Sequence, residues 1–229
     1  VGASAGVSET LKSDIARGFG IASGTYESAS RLQRFMGNTM LQKFQAVERE
    51  QLHSAALDLG CGTGWFTRKF AGLEGIGVLA GLDLSPGMLA QARESSPEGI
   101  GWIVGDAEHL PLLDDSVDLI FSNLMIQWCD DPRSVLRECQ RILRPGGFLM
   151  VSTLLDGTLR ELKAAWHAAD PDHQHVNRFE TDLALQGKVG AELPGAVIEN
   201  LQIITGPYTH SNLPTTKRGR RERGSRSTT

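Results

Sequence analysis

Apolar positions along the chain fall into two rhythms. From Tyr26 to about Leu52, the residues Ala29, Leu32, Phe35, Met36, Met40, Phe44 and Val47 recur at three- and four-residue spacing, which predicts one face of a long helix. After it the texture changes to short apolar runs, AALDL, VLAGLDL, IGWIV, VDLIFSN, FLMVSTL and VIENLQIIT. Helical patterns separate them near 64–72, 86–95, 132–143 and 158–168. Strand and helix alternating in this way predict an α/β fold, a mostly parallel sheet with helices on both faces and an N-terminal helical cap. Arg144-Pro145-Gly146-Gly147 reads as a turn after the 132–143 helix, with a helix-stopping proline and glycines able to take positive φ.

A chain of 229 residues, 40% hydrophobic and 22% charged, is long enough for one large core and excludes collagenous and wholly disordered classes. No apolar stretch reaches the length of a membrane span, and the first residues lack the basic and apolar regions of a secretory signal. Cys61, Cys129 and Cys139 have neither metal-ligand nor redox spacing, which favours free thiols in a reducing cytoplasm. The net charge of -4 divides unevenly: residues 217–229 carry +5 and the rest -9. So acidic a body is a poor general binder of nucleic acid. The expected organisation is a flexible leader at 1–8 and a catalytic domain at 9–210, followed by a disordered basic tail at 211–229. Within the domain, 9–53 forms the cap, 54–156 the ligand-binding core and 157–190 a segment covering the substrate.

Candidate chemistry begins after the first strand, at Asp58-Leu59-Gly60-Cys61-Gly62-Thr63-Gly64-Trp65. A glycine-rich turn there lets backbone approach a ligand at the carboxyl edge of the sheet. A dinucleotide fingerprint needs glycines at its first, third and sixth positions, whereas here the third glycine is at the fifth and Trp65 follows. The spacing thus disfavours a pyrophosphate ligand, and with it a nicotinamide dehydrogenase. Asp83 ends the second strand, 19 residues after Gly64, where a carboxylate can accept from both hydroxyls of a ribose. Asp106, beside Ala107 after the third strand, can accept from an adenine amine, and Met88 can supply an apolar surface for the purine. The combination describes an adenosine-like ligand uncharged on its 5′ side.

The motifs DLGCGTGW, GLDLSPGML, GDAEHLPL and LRPGG resemble those of class I S-adenosylmethionine-dependent methyltransferases. The resemblance implies a Rossmann-like fold with S-adenosyl-L-methionine as cofactor. Gly60, Gly62 and Gly64, with Asp58 before them, would line its methionine end, Asp83 its ribose, and Asp106 with Ala107 its adenine. Asn123 would line the side of methyl transfer. Further segments, TYESASRLQR, SNLMIQWCDD, STLLDGTLRELKAAW and HVNRF, are similar to the malonyl-acyl-carrier-protein O-methyltransferases of biotin biosynthesis over about residues 13 to 205. That likeness implies methyl transfer to the free carboxylate of a malonyl thioester, carried on acyl carrier protein or coenzyme A. Two competing readings are a small-acid methyltransferase of the trans-aconitate kind and a cofactor-binding remnant without activity.

A carboxylate is already ionised at neutral pH, so this chemistry needs alignment and exclusion of water rather than a general base. Tyr26, Gln127 and Arg178 are the candidates for holding it. Tyr26 has an equal claim as an anchor of the cap. Leu159, Leu162 and Trp166 read as a core stripe, Trp128 as packing, and Cys61 as a small residue fitted to the turn. His173 and His175 lack further ligands at metal-binding spacing, so no metal is expected. After residue 205 the family resemblance implies another helix and an antiparallel strand. Here Gly206-Pro207-Tyr208 leads into the basic tail, a departure that reads as truncation or a shifted reading frame.

Overall fold

A computed structural model describes Arg17 and residues 31–47, 53–170 and 178–200. Tyr26, His173, His175, the leader and the basic tail lie outside the described residues. The elements in order are α1 (Arg31–Val47), β1 (His53–Leu59), α2 (Trp65–Ala71), β2 (Ile76–Asp83), α3 (Pro86–Glu94), β3 (Ile100–Val104), β4 (Val117–Asn123), α4 (Pro132–Ile142), β5 (Leu143–Ser152), α5 (Arg160–Ala169) and α6 (Asp182–Glu192). The five strands form one sheet, ordered β3-β2-β1-β4-β5, and all four pairings are parallel. This confirms the α/β fold read from the alternating texture. No helix among the described residues is long and apolar enough to cross a membrane.

Because side chains alternate along a strand, the central strands feed two cores. Leu57 and Leu59 of β1 join Leu82, Ile120, Val135, Leu136, Cys139 and Ile142 on one side. Ala56, Leu79, Leu119 and Phe121 join Phe66 and Phe70 of α2 and Leu41 and Phe44 of α1 on the other. Two helices start on prolines, which cost no hydrogen bond at that position. Ser85 caps α3, its hydroxyl accepting from Met88 N, and the Asp131 carboxylate caps α4 by accepting from Arg133 N and Ser134 N.

Four expectations shift. The buried face of α1 runs through Gly37, Leu41 and Phe44, while Phe35 is 44% exposed. The physical reason is Gly37, where a Cβ would overlap the Phe66 ring, so the helix presents its glycine to the sheet. The Arg144–Gly147 turn lies inside β5. Val117 pairs with Leu143 but Leu119 with Phe148, so Pro145, Gly146 (φ 85°) and Gly147 bulge out between the two registers. The stripe Leu159, Leu162 and Trp166 is about half exposed, since α5 buries none of its residues against the described chain. Of the expected sixth strand, Val197–Asn200 form no strand and the rest lies outside the described residues.

Gly37→Ala gains about 1 kcal/mol of helix propensity. Its methyl would meet a ring already packed on Phe121 and Trp65. Overpacking of this kind costs about 1–3 kcal/mol, so the variant is expected to be less stable than wild type in urea titration. A stabilised variant would mean that the Phe66 ring yields.

Candidate active site

The carboxyl ends of β1, β2 and β4, with the loop after β3, surround one cavity whose empty space is about 810 Å³, part of it open to solvent. Its walls come from Gly60 and Gly62 after β1, Asp83, Leu84, Ser85 and Met88 after β2, Gly105 to Glu108 after β3, and Asn123, Leu124, Met125, Trp128 and Cys129 after β4.

The glycine turn is shaped residue by residue. Gly60, Gly62 and Gly64 all have positive φ, at 73°, 55° and 75°. A Cβ on Gly60 would strike the Met125 side chain. One on Gly64 would come within 2.7 Å of the Trp102 ring and 3.1 Å of Ala92, so Gly64 lets α2 approach β3 and α3 and does not face the cavity. Asp83 fastens the turn: its Oδ2 accepts from Gly62 N at 2.8 Å and its Oδ1 from Ser85 N at 2.9 Å. Burial pushes the Asp83 carboxyl upward from its ordinary value, partly offset by those backbone donors.

Asp58 sits beneath the turn and outside the cavity lining. It is buried, its Oδ2 accepting from Thr67 Oγ1 at 2.5 Å. Burial, chiefly, with the nearby Asp83 charge pushes its carboxyl up to about 7. Cys61, half-buried in the same turn, has its thiol raised by burial and then by Asp58 and Asp83, which suits packing and not nucleophilic attack.

On the opposite wall, Leu124 has φ 52°, an uncommon conformation for a leucine. Its N–H points at Ser152, within 3.0 Å of the carbonyl and 3.1 Å of Oγ. Asn123 donates through Nδ2 to the Gln33 carbonyl of α1 at 2.9 Å and accepts from Ser152 Oγ at 2.8 Å, so it joins the cap helix to two strand ends. Gln127 is committed to its own chain: Nε2 donates to the Leu124 carbonyl at 2.7 Å and Oε1 accepts from Thr153 Oγ1 at 3.1 Å. Arg178 is exposed and outside the cavity, but the bridge between Leu155 and Glu180 holds its segment at the same edge of the sheet as the strand tips.

The structure therefore gathers Gly60, Gly62, Asp83, Met88, Asp106, Ala107 and Asn123 around one space, and leaves Asp58, Gly64, Gln127 and Arg178 outside it. Sequence reasoning missed Glu108, Leu124 and Met125. Trp128, expected only to pack, is 39% exposed and lines the cavity. Among the described residues, the lining holds three acidic side chains, Asp83, Asp106 and Glu108, and no Lys, Arg or His. Such a wall repels phosphate and favours a cationic ligand, while Met88, Ala107 and Met125 supply apolar surface for a flat ring. These donors and acceptors fit S-adenosylmethionine, whose sulfonium and ammonium are positive and whose sugar offers two hydroxyls.

The unusual Asp58 has a measurable consequence. Its proton is held in the folded chain up to about pH 7, against a reference value of 3.8 in the open chain. The folded state thus binds the extra proton between these values, and its contribution to stability falls as pH rises from about 4 through 7. Asp58→Asn is expected to flatten that part of the stability profile, measured by urea titration at pH 5 and pH 8. An unchanged slope would place the titration elsewhere.

Residues 57–151 match the family described as "Methyltransferase domain". Solved structures with the same fold include the methyltransferase bound to an activator protein from Haloferax volcanii, with TM-score 0.63 at 24% identity over 82% of this chain and 77% of that one. Another is an S-adenosylmethionine-dependent methyltransferase, possible histamine N-methyltransferase, from Thermotoga maritima, with TM-score 0.56 at 26% identity over 76% and 78%. Among curated proteins, a malonyl-[acyl-carrier protein] O-methyltransferase of Pectobacterium atrosepticum is 45% identical over 88% of this chain and 70% of its own length. One from Hahella chejuensis is 40% identical over 84% and 68%. A biotin biosynthesis bifunctional protein of Cellvibrio japonicus is 44% identical over 78% of this chain, which spans only 34% of that longer protein. With this identity extending over the cavity walls and the strands that carry them, the chain belongs to the malonyl-[acyl-carrier protein] O-methyltransferase family.

Proposed function

We propose that this chain methylates the free carboxylate of a malonyl thioester on acyl carrier protein, using S-adenosylmethionine held in the cavity at the strand tips, as an early step of biotin synthesis. The observation that carries the reading is the cavity wall itself, with three acidic side chains and, among the described residues, no cation, in a chain of this family. When bound, the cofactor supplies an electrophilic methyl on a positively charged sulfur. Asp83 accepts from the ribose hydroxyls with the lone pairs its backbone donors leave free. Asp106 and Ala107 frame the adenine, Met88 underlies it, and Gly60 and Gly62 admit the methionine end. Asp58 acts indirectly, bracing the turn through Thr67.

The substrate acid needs no base, because it is ionised at neutral pH. What the chain provides is orientation and removal of water. Arg178 is the side chain in this reading that meets the carboxylate, its planar fork matching two oxygens. Gln127 positions the loop after β4 and keeps one amide hydrogen for the substrate. Tyr26 is assigned to the same pocket as a hydroxyl donor. Residues 157–190 cover the substrate, α6 being tied to α4 where Glu192 accepts from Arg133 and Arg137. Cys61, Cys129 and Cys139 form no disulfide, in keeping with a cytoplasmic setting.

Radiolabelled methyl transfer is expected to malonyl-acyl carrier protein, with less to malonyl-coenzyme A and none to aconitate, and mild alkali should release the label as methanol. Label on aconitate alone, or none on any acid despite cofactor binding, would overturn the assignment. Asp83→Ala should weaken S-adenosylhomocysteine binding at least about tenfold in calorimetry, given about 1.5–3 kcal/mol for hydrogen bonds to a charged group, while far-ultraviolet circular dichroism stays unchanged.

A further inference from the structure

We propose that Glu108 is a positioning residue of the cofactor site, a carboxylate latch that sets the cavity's width by tying the loop after β4 to the loop after β3. The proposal rests on the cofactor reading given above. In the sheet, β3 and β4 are not neighbours, since β2 and β1 lie between them. No ladder of backbone hydrogen bonds therefore fixes the distance between the loops that leave their tips, and the cavity occupies that gap. Glu108 spans it. The residue is 9% exposed and lies on the cavity wall. Its Oε1 accepts from Asp130 N at 2.7 Å and from Asp131 N at 3.3 Å.

Each end of the latch is anchored to something the site uses. On the β3 side, the Glu108 N–H donates to Asp106 Oδ1 at 3.0 Å, which fixes the carboxylate assigned to the adenine. On the β4 side, Asp131 is the cap of α4 and Asp130 follows directly on Trp128 and Cys129, both in the wall. An ionised acceptor at this place also faces the amino end of an 11-residue helix, where negative charge is favoured. The loop after β3 is also held further along. Its partners there are on α4 itself, where Leu110 N donates to Glu138 and Arg141 donates to the Leu110 and Leu112 carbonyls, so Glu108 adds the tie at the amino end of that helix, the end beside the cavity.

Three substitutions separate reach from charge. Glu108→Ala leaves two N–H groups without their acceptor and is expected to weaken S-adenosylhomocysteine binding about tenfold or more in calorimetry. Glu108→Asp keeps the charge but falls a methylene short, and should lose affinity similarly. Glu108→Gln keeps the acceptor oxygen and should stay within about threefold of wild type. The KM for S-adenosylmethionine should follow the same order with kcat little changed, the pattern of lost binding and not lost chemistry. In the cofactor-free protein, the Asp130 and Asp131 amides should exchange their hydrogens faster in the alanine variant than in the glutamine variant. Wild-type affinity in Glu108→Ala, or equal losses in the alanine and glutamine variants, overturns the latch. Failure of the cofactor reading looks different: wild type itself would not bind S-adenosylhomocysteine, while exchange at Asp130 and Asp131 would still respond to Glu108→Ala.

Discussion

The site depends on one carboxylate before it depends on any ligand. Asp83, at the tip of β2, accepts from Gly62 N with one oxygen and from Ser85 N with the other. Three successive positive-φ glycines would otherwise be a floppy link, since glycine loses more conformational freedom on folding than other residues. The Gly62 hydrogen bond, with those of Gly60 N and Cys61 N to the Leu82 carbonyl, fixes that link against the neighbouring strand. The two bonds to Asp83 also leave its carboxylate at the cavity surface, half desolvated, with acceptor capacity still to use. One residue thus shapes the turn and faces the cavity, so loss of its side chain touches both.

Around that point, the strand order distributes charge. The carboxylates Asp83, Asp106 and Glu108 come from β2 and the loop after β3, at one end of the cavity. The β4 side offers the neutral amide of Asn123 and the sulfur atoms of Met125 and Cys129, which lie 3.4 Å apart, with the Gln127 amide outside the lining. The amides are braced by Ser152 and Thr153 from β5 and its end. The uncommon backbone of Leu124 is held by Ser152, and Met125 beside it fills the space that a side chain on Gly60 would take. Strain at one strand tip is therefore matched by a glycine at the next, a complementarity that neither segment reveals alone.

Most of the fold was legible because burial leaves a period in the sequence. Strands buried on both faces read as continuous apolar runs, and β1 to β4 fall within two residues of AALDL, VLAGLDL, IGWIV and VDLIFSN. The phase of α1 was not legible, because Gly37 carries no hydrophobic signal yet makes the closest approach, to Phe66. The place of Asp83 and Asp106 in the cavity wall was legible, since they follow apolar runs at the edge where such sheets bind ligands. Glu108 was not, because its partners are backbone N–H groups 22 and 23 residues away and no spacing rule marks them. Gln127 was visible as a polar residue after a strand, but the hydrogen bonds that engage its amide depend on where β5 ends.

The charge asymmetry also constrains how an acidic substrate can approach on the proposed reading. A carboxylate entering from the β2 and β3 side would meet like charge in a partly enclosed space, where repulsion is less screened than in water. Entry over β4 and β5 meets the neutral Asn123 amide first, on the side of the segment bridged to Leu155 that carries Arg178. A sulfonium at the methionine end, beside Gly60 and Gly62, would place positive charge between the acidic wall and the incoming carboxylate. The attacking oxygen is drawn toward the methyl without any side chain of the inner wall having to change its protonation. Alignment by charge in this way suits a nucleophile that arrives already ionised, and explains why the inner wall can do without a histidine or lysine base.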